Sequence, residues 1–158
     1  MSQDDLLRKQ LIGLLQKSEA HAGFEKSVKG VPADKMGVRP EGLPHSLWEL
    51  LEHLRLAQLD ILEFSESADY KPRKWPQDYW PASPQPSSPA AWQHSVQSIL
   101  TDRDAFIRLL RDTDRDLYKP FPWGDGQNLL RETLLIADHN AYHVGEMVTV
   151  RQALGIWP

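Results

Sequence analysis

The chain has 158 residues, a length that suits one domain with a hydrophobic core that needs no staples. Apolar residues make up 41% and charged residues 25%, and the net charge of −4 with interspersed signs argues against a nucleic-acid binder, since phosphate contact needs clustered Lys and Arg. The absence of cysteine excludes disulfides, thiolate catalysis and Cys-ligated zinc or iron–sulfur sites, and it fits a reducing cytoplasm.

The acidic start Met1-Ser2-Gln3-Asp4-Asp5 lacks the basic-then-apolar layout of a secretion signal. No apolar run approaches the ~20 residues that cross a bilayer. A soluble cytoplasmic chain, one domain over 1–158 and no membrane or nucleic-acid partner are therefore expected.

Four helices are predicted. The first starts at Ser2, with Asp5 completing an S-x-x-D capping box. Leu7, Leu11, Leu14 and Leu15 form its apolar stripe, which continues through Ser18, His21, Glu25 and Val28 until Gly30 and Pro32 end it. The second starts at Ser46 with Glu49 as box partner, buries Leu47, Leu50, Leu54, Ala57, Ile61 and Phe64, and runs to about Ser67. Residues 68–88 carry Pro72, Pro76, Pro81, Pro84 and Pro86 with Trp75, Tyr79 and Trp80, which makes them a loop. A connection this long is often functional.

The third helix opens at Ser88-Pro89, a cap followed by proline at the first helical position, and is expected to end near Leu117. Its apolar face is Trp92, Val96, Ile99, Phe106, Ile107 and Leu110. Pro120, Pro122, Gly124 and Gly126 make a turn. The fourth helix is capped by Asn128 and runs to Gly155 with Leu135, Ile136, Met147, Val150 and Leu154 inward. Four such stripes bury most simply against one another, as an all-α four-helix bundle. The linker between the second and third helices is long enough to cross the bundle's end and leave those two helices parallel.

His139 and His143 stand four apart, one above the other on the inward face of the fourth helix, since they continue the stripe from Leu135 to Met147. Such a pair can converge on one cation, or each ring can bond a carbonyl or carboxylate inside the core. His53 adds a third imidazole on or beside the inward edge of the second helix. Three neutral imidazoles suit Zn²⁺, Ni²⁺ or Fe²⁺ and leave at least one coordination position open, as catalytic rather than structural sites do. Free imidazole titrates near pH 6.5, so metal affinity is expected to fall below about that pH.

At these residues the chain resembles the DinB-like (YfiT-like) family of metal-binding four-helix bundles. The matching pieces are Trp48-Glu-Leu-Leu-Glu-His53-Leu, His139-Asn-Ala-Tyr-His143-Val-Gly-Glu and Val150-Arg-Gln-Ala-Leu-Gly-Ile-Trp157, and the resemblance spans nearly the whole chain. It implies a bundle with the long crossover between helices two and three, a metal held at His53, His139 and His143, and frequently a homodimer. It also implies, for some members, S-transfer from bacillithiol, mycothiol or glutathione, or related isomerisation. The chain departs from many relatives in having Glu146 where they carry glutamine; the carboxylate can add charge to the site, accept a bond from behind a ligand, or form an ion pair.

Other side chains have two readings each. His21 and Glu25 either face the metal pocket or sit exposed near a helix end. Tyr142 either bonds a substrate or packs. Trp75, Tyr79 and Trp80 either form a lid or pin the loop to the bundle, the second being preferred. Arg151 either meets an anion or is solvated, and His45 and His94 read as surface residues. With no cysteine in the chain, thiol chemistry needs a low-molecular-weight thiol as cosubstrate. The expectation is a metal-dependent transferase acting on a small electrophile; metal-dependent hydrolysis and a non-enzymatic metal-binding or dimerisation module are the alternatives.

Overall fold

The computed structural model describes residues 2–17 and 20–158. Its helices are α1 (Gln3–Gln16), the short α2 (Phe24–Val28), α3 (Leu47–Glu66), α4 (Pro89–Arg111) and α5 (Leu129–Ala153), with single 3₁₀ turns at Ala33–Lys35 and Gln77–Tyr79. Among the described residues there is no strand. The predicted caps form: Ser2 with Asp5, Ser46 with Glu49, Ser88 before Pro89, and Asn128 accepting from the Arg131 N–H. Each satisfies backbone donors that a helix start leaves free.

Two boundaries differ from the periodicity. The first helix does not continue to Gly30. It ends at an extended Lys17, and after the break Gly23 caps α2. Of Leu7, Leu11, Leu14 and Leu15 only Leu11 is fully buried while Leu14 is exposed, and no large apolar residue stands between Leu15 and Phe24 to bind another turn to the core. Ser18, expected on that stripe, lies outside the described residues. The third helix stops at Arg111, not Leu117. The Asp112 and Asp116 side chains accept from the Asp114 and Tyr118 N–H groups, and this local bonding competes with the helical ladder. Arg8, 6% exposed, then donates to the Leu110, Asp112 and Arg115 carbonyls, closing the end of α4 from α1.

Helix α3 packs against α4 and α5, and α1 packs against the same two. Contacts fix the directions. Glu52 meets Ser95 and Gln58 meets Ile99, so α3 and α4 advance together and are parallel. His53 meets His139 while the Trp123 indole, just before α5, reaches the Phe64 carbonyl, so α5 runs against α3. This is the expected crossover bundle.

Leu47, Leu50, Leu54, Trp92, Met147 and Val150 form the core at one end, and Leu11, Leu62, Phe106, Leu110, Leu117 and Ile136 form it at the other. On α3, between Leu54 and Leu62, the buried Gln58 interrupts the apolar rows. The crossover loop is tied to α3. Tyr70 and Tyr79 both donate to Asp60, at 2.9 and 2.7 Å, and Arg73 pairs with Asp60 and Glu63. Gly37 permits the far end of the loop to close, since a Cβ there would stand 2.2 Å from that of Gln85.

Candidate metal centre

Helical phase puts His139 and His143 on the face of α5 that meets α3, and His53 stands opposite them in the first half of α3. One ring nitrogen from each of the three lies within 4.8 Å of the others. The ring centroids are 4.5 Å apart for His139–His143, 4.5 Å for His53–His143 and 5.0 Å for His53–His139. His53 is 3% and His143 9% exposed, and His139 is half-buried.

Partners behind the rings decide which nitrogens face inward. Nδ1 of His53 lies 2.8 Å from the Tyr79 carbonyl, which only accepts, so a neutral His53 carries its proton there and a lone pair on Nε2. Nδ1 of His143 lies 2.6 Å from the Glu146 carboxylate and is likewise a donor. This orientation of imidazole by a carbonyl or carboxylate is the usual surrounding of a metal-ligating histidine. Glu146 therefore stands behind a ring and is not one of the clustered groups. The separation of His53 Nε2 and His139 Nε2 is 3.1 Å. Two nitrogens about 2.05 Å from a shared ion stand about 2.9 Å apart at a right angle and about 3.3 Å apart at the tetrahedral angle, so the observed span fits a metal's ligands.

Burial also prepares the rings. It pushes His139 down to about 4, helped by the neighbouring His143 and His53, and His143 down to about 4, helped by His53 and His45. His53 is lowered by the same burial, partly offset by its bond to Tyr79. All three are neutral near pH 7, as ligation requires. Proton competition expected near pH 6.5 is thereby displaced to more acid conditions.

The crossover loop supplies the roof. The Trp80 indole stacks on His53 at 4.0 Å with planes 3° apart, and His45 stacks on its other face at 4.3 Å. His45 is thus no plain surface residue: the stack half-buries it. Tyr79 and Trp80 pin the loop as preferred, while Trp75, 6.3 Å from His53, stays 68% exposed. Tyr142 packs edge-on to His143 at 4.9 Å and is 66% exposed, so its hydroxyl is free of the core.

The remaining candidates lie elsewhere. His21 is exposed and bonded to the adjacent Ala22 carbonyl, Glu25 pairs with Arg103, and His94 is exposed. Arg151 is neither solvated nor aimed at an anion. It is 3% exposed and donates to the Lys26, Ser27 and Ile156 carbonyls, tying α2 and the C-terminal turn together, with the Trp157 ring 5.2 Å from its guanidinium. The turn itself needs Gly155 at φ +68°, which brings Ile156 back onto the helix end.

A cavity of about 800 Å³ opens where α1, α4 and α5 meet, lined in part by Leu15, Phe24, Gln58, Ile99, Arg103 and Asn140. None of the three clustered histidines lines it. Among the described residues no fourth histidine or carboxylate joins the three. Among the described residues no helix is long and apolar enough to cross a membrane.

The model of the DinB superfamily matches residues 16–147. No curated protein and no solved structure matches the chain.

Proposed function

The chain belongs to the DinB superfamily, and from that premise we propose that it is a metal-dependent enzyme whose divalent ion is held by His53, His139 and His143. The observation that carries this reading is the set of three neutral inward nitrogens with no fourth protein ligand among the described residues. Three-ligand sites leave room for a reactant, whereas structural zinc sites are closed by a fourth side chain. When bound, such an ion supplies Lewis acidity, drawing the pKa of a coordinated water or thiol toward neutrality.

The chain's own residues set the conditions for that chemistry. Tyr79 and Glu146 hold two ligand protons on Nδ1 and so keep the Nε2 lone pairs directed inward. Glu146 also places a negative charge behind His143, which offsets part of an ion's charge through the ring. Trp80 keeps water from one face of His53. Trp75 and Tyr142, both exposed beside the cluster, offer aromatic surface to an apolar electrophile, and the Tyr142 hydroxyl is free to bond its polar end.

The reaction proposed, which the family resemblance suggests, is attack of a low-molecular-weight thiol, as its thiolate, on a small electrophile, a new C–S bond forming as the electrophile's leaving group departs. The thiol is a cosubstrate because the chain has no cysteine of its own. Metal-assisted hydrolysis uses the same site with water in the thiol's place. A metal-binding module without turnover is the second reading, favoured by the absence of all three histidines from the lining of the cavity between α1, α4 and α5.

Elemental analysis of the purified protein comes first, followed by turnover of an activated aryl halide with bacillithiol, mycothiol, glutathione or no thiol. Metal at one equivalent and thiol loss matched to product support the transferase. Product without thiol makes the protein a hydrolase. Bound metal with no turnover of aryl halides or esters favours the module, and absence of metal removes the premise.

A further inference from the structure

The buried amide of Gln58 has its orientation set by a partner that only accepts. Its Nε2 donates to the Ile99 carbonyl at 2.8 Å, so its Oε1 is the end that faces Asn140. Asn140 Nδ2 donates to that oxygen at 2.9 Å, which leaves Asn140 Oδ1 as an acceptor. This oxygen is buried and has no hydrogen-bond partner. The adjoining residue holds a second buried polar atom without a partner, His139 Nδ1. Orphans of this kind are rare in folded proteins and call for a reason.

The reason lies in the proton inventory of the three rings. His53 keeps its proton on Nδ1 for the Tyr79 carbonyl, so its Nε2 offers a lone pair to His139 Nε2, 3.1 Å away. Without an ion, His139 places its own proton on Nε2 between the two rings. Its Nδ1 then bears a lone pair beside an amide oxygen, and two acceptors cannot bond. Ligation through Nε2 demands the other tautomer of His139, with the proton on Nδ1. That tautomer is the donor Asn140 Oδ1 lacks.

We propose that Asn140 is a positioning residue for His139, holding its metal-binding tautomer through a chain of amides that ends on the Ile99 backbone carbonyl. The inference rests on the metal reading above. It gives each imidazole an acceptor behind it: the Tyr79 carbonyl for His53, the Glu146 carboxylate for His143 and the Asn140 amide for His139. The Asn140 side chain stands within hydrogen-bonding reach of the His139 ring. Gln58 and Asn140 also line the cavity at α1, α4 and α5, so the chain of amides runs from that space to the cluster.

The test is zinc affinity, measured against a competing chromophoric chelator, for the full chain and for Asn140→Leu and Asn140→Asp. Leucine removes the acceptor at similar volume and is expected to weaken zinc binding by about 10–100-fold, the usual loss for an outer-shell partner. Aspartate gives up the donor to Gln58 but keeps an oxygen toward His139, and is expected to restore affinity to near the unmodified value. Equal affinity in Asn140→Leu overturns the positioning role, as does an Asn140→Asp variant as weak as leucine, the pattern of a merely structural residue. Failure of the unmodified chain to bind zinc overturns the metal reading and this inference with it. Should Asn140→Leu fail to fold, ¹⁵N spectra of the unmodified protein decide: zinc is expected to move the His139 proton from Nε2 to a slowly exchanging Nδ1–H, and rapid exchange of that proton overturns the proposal.

Discussion

Acid should unfold the metal-free protein through the histidine cluster. In the unfolded chain an imidazole titrates near pH 6.5, whereas in the fold His139 and His143 stand at about 4. Between those values the unfolded state binds more protons, so stability rises with pH there. The contribution is therefore complete above about pH 6.5 and is lost progressively as pH falls toward about 4. At pH 5.5 the two rings together account for nearly two extra protons in the unfolded state, a slope of about 2 kcal/mol per pH unit. From pH 7 to pH 5 the loss is about 2 kcal/mol for each ring and about 4 kcal/mol for the pair, a large share of the ~5–15 kcal/mol that holds a domain together. His53, lowered in the same direction, steepens the decline. The assay is urea unfolding followed by circular dichroism at several pH values in the presence of chelator, with a His143→Gln variant as control. The variant should lose more than half the slope, since it removes one ring and also the neighbour that helps to hold His139 down. A stability that stays flat from pH 7 to pH 5 would refute the reasoning, because it would mean that the rings protonate in the fold as readily as in water.

His139→Ala and His143→Ala should each abolish stoichiometric metal while leaving helicity intact, and metal retained by both variants would refute the ligand assignment. Glu146→Gln keeps an acceptor near His143 but removes its charge; metal affinity is expected to drop by about tenfold, toward the low end of outer-shell effects, as read by chelator competition. Arg151→Met should lower unfolding stability by about 3 kcal/mol, since three backbone carbonyls lose a charged donor, and should leave metal affinity unchanged. A metal loss in Arg151→Met would show that the C-terminal turn reaches the cluster.

The parts legible in the sequence are those with local causes. Capping boxes at Ser2 and Ser46 and the 3.6-residue stripes mark helix starts and faces, and the same phase argument puts three imidazoles on facing surfaces. What escaped depends on distant residues. Lys17 ends α1 because the stripe beyond Leu15 offers too little burial; the gap to Phe24 stands in the sequence, but which of the leucines before it stay exposed is set by the other helices. The Tyr79 carbonyl and the Trp80 stack come from a proline-rich loop whose return path no periodicity encodes. His45 is drawn in by the same loop. Arg151 reads as a solvated cation until α2 presents its carbonyls. Gln58 and Asn140 did leave a signal, since each is a polar residue on a face otherwise committed to the interior, but the meaning of that signal lies in their pairing across α3 and α5.

His53 and His139 are separated by 86 positions along the chain, with the crossover loop, α4 and the following turn all lying between them. An ion shared by the two would act as a reversible cross-link over that whole span, withdrawing from the unfolded ensemble every conformation in which the ends drift apart. Chelation would then cost more than a ligand. It would release the α3–α5 seam, and backbone amides along that seam should become the first of the interior to exchange with deuterated solvent.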